Sequence, residues 1–260
     1  MTFSKFKIFR ITVLVLILLS VWNTAIRQKH LIQDWDGTLS VMIMPIAADE
    51  NPQTRSYIQQ LSTEDYEGII DFFNREGQRY NSDLKHKIVI SIDTSIQSLP
   101  PQIPPTNSSR LAIIIWSLKL RWWAFNNKPD NYHNNQIQLY TLYSRPHKNQ
   151  LLPHSTGLEK GLIGIIHARA FNNQNKQNNI VIAHEMMHIF SAADKYNLTS
   201  GNVLFPSGYA EPEKTPRYPQ RMAEIMAIRI PINKNRFILP RSLKDMRVGD
   251  VTAKEIGWIQ

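Results

Sequence analysis

His184, Glu185 and His188 stand together in the string His184-Glu185-Met186-Met187-His188. On a helix, positions i and i+4 lie one turn apart on the same face. Two imidazoles so placed can converge on a single cation at about 2.0–2.1 Å each. Glu185 is turned by about 100° around the axis from His184, which keeps it off the ion and within reach of a water held there. That combination is the chemistry of metal-assisted hydrolysis. The ion acidifies the water, and the carboxylate takes its proton as the oxygen attacks a carbonyl, then hands the proton to the leaving amine. Ile180, Val181, Ile182 and Ala183 before the string, and Ile189 and Phe190 after it, supply the apolar surface that a half-buried active-site helix needs.

A catalytic zinc usually has three protein ligands and one open position. Downstream oxygen donors include Asp194, Glu211, Glu213 and Glu224. Asp194 comes six residues after His188, and with it the string resembles the extended motif of the metzincin metalloproteases, HExxHxxGxxH, in its aspartate variant. The resemblance covers about residues 163–229. It implies Zn²⁺ as cofactor, Asp194 as third ligand, a zincin-like fold, and a peptide substrate laid along the edge of a sheet at the strand expected over 161–170. It also implies a methionine-bearing turn under the metal, which Glu224-Ile225-Met226-Ala227 fits. The pattern departs at Ser191, where glycine is expected; glycine takes positive φ at little cost and serine does not. In the related gluzincin pattern a glutamate from a second helix completes the site. Glu224, on a helix expected over 220–228, is that rival, whereas Glu211 and Glu213 lie in proline-rich chain. His167 falls on the preceding strand, and His147 and His154 fall in loops. Tyr196, Tyr209 and Tyr218 are candidate donors to a developing oxyanion.

The elements that must hold these residues alternate in character. A strand is expected over 38–46, apolar nearly throughout and so covered on both faces. Thr63 can cap a helix running to about 80, with Tyr66, Ile69, Ile70, Phe72 and Phe73 at helical spacings. A strand over 87–94 precedes a loop with four prolines over 100–109. Asn107 or Ser108 can cap a long helix to about 126, apolar almost all round and therefore expected to be buried, with Trp116, Trp122 and Trp123 in the core. Strands follow over 136–143 and 161–170. A polar connector over 172–179 leads into the active-site helix, about 177–192. The fold class read from this order is α+β, an α/β-layered domain with a mixed sheet and packed helices, after an N-terminal transmembrane helix.

Lys5, Lys7 and Arg10 precede an apolar run over 11–22, broken only by Thr12 and Ser20. Counted from Phe6 to Ile26, the stretch reaches the length of about 20 residues that crosses a bilayer core. Residues 1–30 are accordingly expected to be a cytoplasmic stub and signal anchor. Residues 31–260 are then the catalytic domain outside the cytoplasm, or a secreted one if the segment is cleaved. Of the 260 residues 42% are hydrophobic and 20% charged, which excludes a disordered chain. The chain has no cysteine, which excludes disulfides, thiolate ligands and a cysteine nucleophile. The net charge of +9 is scattered and comes with no nucleic-acid motif, so a solvated basic surface is expected and no nucleic-acid partner. The whole reads as a zinc peptidase with a protein or peptide substrate, tethered to a membrane by its N-terminal helix. Two other readings stay open: a zinc amidase acting on cell-wall peptides, and a catalytically inactive membrane-tethered binding protein with a vestigial metal site.

Overall fold

The structure, a computed structural model, describes residues 5–259 apart from 34, 36, 81–87, 106, 134, 135, 148, 149 and 198. Its centre is a five-stranded mixed sheet built from β1 (Leu39–Ala47), β2 (Ile88–Ile92), β3 (Ile137–Ser144), β4 (Thr156–Leu158) and β5 (Ile163–Arg169). The order is β2-β1-β3-β5-β4; the first four pair in parallel and β4 runs antiparallel to β5. β1 and β3 are buried along nearly their whole length, because alternate residues meet helices on opposite faces. Val41, Ile43, Leu139 and Ile166 join one core cluster with Phe72 and Phe73 of α3 (Glu67–Arg79) and Ile182 and Met186 of α5 (Asn175–Ile189). Met42, Met44, Tyr140, Leu142 and Ile165 join a second with Trp116, Leu120 and Ala124 of α4 (Arg110–Asn126). The layered α/β architecture expected from the sequence is therefore present.

Element boundaries move for local reasons. The second expected strand is shorter, and its first residue, Lys87, lies outside the described residues. A helix not anticipated, α2 (Pro52–Gln60), starts where Asn51 Oδ1 accepts the Gln53 N–H at 2.9 Å and Pro52 supplies a pre-set φ. The segment before α3 is a single tight turn, Thr63–Tyr66, in which Ser62 N–H donates to Asp65 Oδ2 at 2.9 Å, so Ser62 rather than Thr63 opens it. Ser109 caps α4 by accepting the Ala112 N–H. That helix is not buried all round. Trp116, Leu120 and Ala124 face the sheet, Trp123 leans on Tyr140 with ring centroids 4.7 Å apart, and Trp122 is exposed. An all-round apolar composition does not fix how many sides of a helix find neighbours.

The helix expected over 220–228 is not formed. β6 (Ala223–Glu224) pairs in parallel with β9 (Met246–Arg247), and β7 (Ile230–Asn233) pairs with β8 (Arg236–Ile238). The buried Glu224 carboxylate accepts the Met226 N–H at 2.6 Å, the Gly249 N–H at 3.2 Å and the Thr252 hydroxyl at 2.7 Å, which ties the turn to α6 (Asp250–Glu255). The spacing that mimics a helix arises because this turn buries Ile225 and Met226 together.

At the N-terminal end, α1 spans Lys5–Gln33. Among the described residues no helix is long and apolar enough to cross a membrane, so the expected transmembrane anchor is not supported. The apolar run over 11–22 falls short of about 20 residues and is followed by Asn23, Thr24 and Arg27. Beyond α1, Trp35 is buried against Phe190 and Trp258, and its Nε1–H donates to Ile256 O at 2.7 Å.

Candidate metal centre

The stretch 172–179, expected as a connector, is a short turn (Asn172–Gln174) running into the first turn of α5. Its asparagines are clamps. Asn178 Oδ1 accepts the Arg169 N–H at 3.0 Å and Asn178 Nδ2 donates to Arg169 O at 2.9 Å, which locks the end of β5 to the helix. Asn179 donates to Asp65 O, and Asn175 accepts from the Tyr57 hydroxyl and donates to Asp65. These partners lie on other elements, so the polar string that reads as a loop in isolation is helical in place.

α5 ends at Ile189, ahead of the expected 192. The chain then reverses at Ser191, which takes φ of +79°, the conformation the motif assigns to glycine. The Ala192 N–H returns to Met187 O at 2.9 Å, in the manner of a left-handed helix cap. A serine there carries a cost of about 1–2 kcal/mol in backbone strain, and its hydroxyl is buried without a hydrogen-bond partner. In return the turn brings Asp194 back beneath the helix.

His184 Nε2 and His188 Nε2 each lie 3.3 Å from Asp194 Oδ1, and the two rings stand 4.7 Å apart at 84°. The outer nitrogens face backbone carbonyls: His184 Nδ1 is 3.1 Å from Ile225 O, and His188 Nδ1 is 2.9 Å from Ala192 O. A carbonyl oxygen only accepts, so both rings carry their hydrogen on Nδ1 and turn the Nε2 lone pairs inward. Two imidazole lone pairs and a carboxylate oxygen then converge. Their ligand atoms lie within 4.8 Å of one another, and the group could hold a metal ion. Burial works to raise the Asp194 carboxyl, but the two imidazoles hold it well below the usual carboxylate range. Burial works to lower the His188 imidazolium, while the carboxylates of Asp194 and Glu185 pull it upward on balance. The cluster thus has a demand for positive charge. A proton on one Nε2 would join that ring to Asp194 Oδ1 and leave the other imidazole unserved, whereas a cation at the common point serves all three donors. In the tautomers fixed by the carbonyls Asp194 Oδ1 is buried with no hydrogen-bond partner, which fits the same conclusion.

Glu185 is buried beside the cluster, and its Oε2 has no hydrogen-bond partner. Burial raises its carboxyl above the ordinary value, with His184, His188 and His154 pulling the other way. Glu224 and Glu211 are committed elsewhere, Glu224 to the turn described above and Glu211 to Arg221, and Glu213 joins no ligand group among the described residues. Of the tyrosines, Tyr209 and Tyr218 bond each other at 2.8 Å. The Tyr196 ring lies under the Arg229 guanidinium at 4.5 Å, and its hydroxyl is raised by burial and by the charge of Asp194. His154 and His167 line a groove of about 960 Å³ against the proline segment Pro100–Pro105. Met226 packs in the core with Met187 and Ile189, and the turn around it meets the site through the Ile225 carbonyl.

The strand over 161–170 was expected to present a free edge. It is β5, and β4 covers that edge, so β4 is the outer strand. Gly157 of β4 pairs with Gly164 and rests on α5. A Cβ at Gly157 would overlap the Glu185 carbonyl oxygen and sit 3.1 Å from His188 Cβ, so only glycine lets this strand lie on the helix. A hollow of about 430 Å³ opens beside His188, walled by Ser117 and Arg121 of α4, by Leu158 and Lys160, and by Ser191. Sequence reasoning missed both β4 and the Ile225 carbonyl; a three-residue strand and a backbone oxygen leave no local signature. No family model matches the chain, and no curated protein matches it.

Proposed function

We propose that this chain is a zinc-dependent peptidase of metzincin-like design, with His184, His188 and Asp194 holding the ion and Glu185 as general base. The observation that carries the reading is the convergence of His184 Nε2 and His188 Nε2 on Asp194 Oδ1, with both Nδ1 atoms anchored to carbonyls. Imidazole and carboxylate donors in this number suit zinc and leave a coordination position for solvent. When bound, the ion supplies Lewis-acid chemistry, acidifying water and polarising the scissile carbonyl.

The residues of the chain do the rest. Glu185 takes a proton from the attacking water and delivers it to the departing amine. Its burial beside the two imidazoles, with Oε2 free of other hydrogen bonds, leaves the carboxylate available for both halves of that transfer. Tyr196, two residues after Asp194, is the tyrosine we assign as hydrogen-bond donor to the developing oxyanion. The hollow beside His188, bordered by β4, accommodates substrate side chains, and an extended peptide can add to the edge of β4 by backbone hydrogen bonds. The basic start and apolar run of α1 support an exported location for the domain.

The test joins metal analysis to hydrolysis. The purified chain should carry about one zinc and cleave an unstructured protein such as casein. Glu185→Ala should keep the metal and lose about 10²–10⁴-fold in rate. Full activity in Glu185→Ala, or a purified chain that neither carries nor takes up metal, would defeat the reading.

A further inference from the structure

We infer that α4 is a docking helix for an anionic lipid surface. Its outer face carries Leu111, Ile114, Ile115, Leu118, Trp122 and Phe125, each 45–69% exposed. The spacing i, i+3, i+4, i+7, i+11, i+14 puts all six within an arc of about 100°. Trp116, Leu120 and Ala124, which pack on the sheet, lie on the opposite side of the same helix. α4 is therefore an apolar helix with two apolar stripes, of which the fold uses one. A contiguous exposed row of six large apolar side chains, including a tryptophan and a phenylalanine, is what interfacial helices present.

Charge selects the occupant. Over 110–128 the chain has Arg110, Lys119, Arg121 and Lys128 and not one acidic residue. At 100° per residue Arg110 lies on one flank of the stripe and Lys119 on the other. Lys128 sits over the Phe125 ring at 5.3 Å, its ammonium at the end of the apolar row. A second copy offering the same face would oppose cation to cation, whereas a bilayer with anionic headgroups offers negative charge above an apolar interior. α1 reinforces the choice. It too exposes large apolar residues, among them Phe6, Phe9, Leu14 and Trp22, and has no acidic residue between Lys5 and Gln33. Both helices are tied to one turn: Gly161 N–H donates to Gln28 Oε1 at 3.2 Å, and Arg121 donates to Lys160 O at 2.6 Å. The two helices, each with large apolar side chains exposed, thus meet the domain at the same turn and can enter one interface together. This inference stands apart from the chemistry at His184.

The absence of cysteine makes the test direct. In the full chain, Leu118→Cys is labelled with an environment-sensitive nitrobenzoxadiazole dye, and Lys214→Cys, on an exposed loop, serves as the control. Vesicles of phosphatidylcholine with one quarter phosphatidylglycerol should blue-shift and brighten the dye at 118, leave it unchanged at 214, and do much less when made of phosphatidylcholine alone. Leu118→Glu with Trp122→Glu in the unlabelled chain should weaken sedimentation with the anionic vesicles by at least about tenfold. A dye at 118 that stays in water while the chain pellets with vesicles would overturn the inference, leaving α1 as the sole attachment. A shift that grows with protein concentration in the absence of lipid would overturn it in favour of self-association. Unchanged sedimentation of the double variant would also overturn it.

Discussion

Asp194 Oδ1 is shared between two imidazoles, so the third donor position is a single atom. Asp194→Ala should lower zinc affinity by at least about 100-fold, more than the loss of an orienting partner alone, as measured by competition with a chromogenic chelator. The residue that brings Asp194 back carries strain of its own. Ser191→Gly removes the left-handed penalty and the unpartnered hydroxyl, and should raise stability by about 1 kcal/mol in urea titration without changing metal content. At this scale the sequence was most informative where geometry is local. His184, Glu185 and His188 are set by one helical turn, whereas Asp194 is singled out over Glu224 only by the resemblance of the longer string to the metzincin pattern. The Ile225 carbonyl that orients His184 lies 41 positions away and is a backbone atom, so nothing in the residue string points to it.

Elements were read well where one period dominates and poorly where a distant partner decides. The parallel strands announced themselves by apolar runs. The turn at 223–227 imitated a helix because Glu224 is held by Gly249 and Thr252, contacts the local spacing cannot contain. Full burial raises the Glu224 carboxyl from 4.5 to about 7 despite its three hydrogen-bond donors. The folded state therefore holds a proton that the unfolded chain releases at about pH 4.5. Its contribution to stability is complete below that value and is lost as the pH rises to about 7. Relative to Glu224→Gln, the wild-type unfolding free energy should fall by about 3 kcal/mol across that interval, checked by urea midpoints at closely spaced pH. β4 makes a second element-scale prediction. Gly157→Ala forces backbone apart from backbone and should cost about 1–3 kcal/mol, with a loss of hydrolytic rate as the strand lifts from His188.

For the molecule as a whole, the cluster of His184, His188 and Asp194 ties the end of α5 to the chain beyond it, and through Ile225 to the C-terminal turn. A metal bound at that junction would stabilise the fold by mass action, about 4 kcal/mol when free metal stands at a thousand times its dissociation constant. Stripping with a chelator should lower the melting temperature by about 10 °C in a chain of this size, and zinc, but not magnesium, should restore it. The layered plan was legible because burial on two faces writes itself into β1 and β3. The outward face of α4 was not, since a helix apolar on every side gives no sign of which side the domain leaves bare. Arg121 gives that helix a second consequence. The guanidinium braces Ser117 and the Lys160 carbonyl while forming part of the wall next to His188. One side chain is thus a strut common to the outer helix and to the mouth of the hollow, and the two cannot be redesigned independently: re-aiming Arg121 tilts the first and reshapes the second.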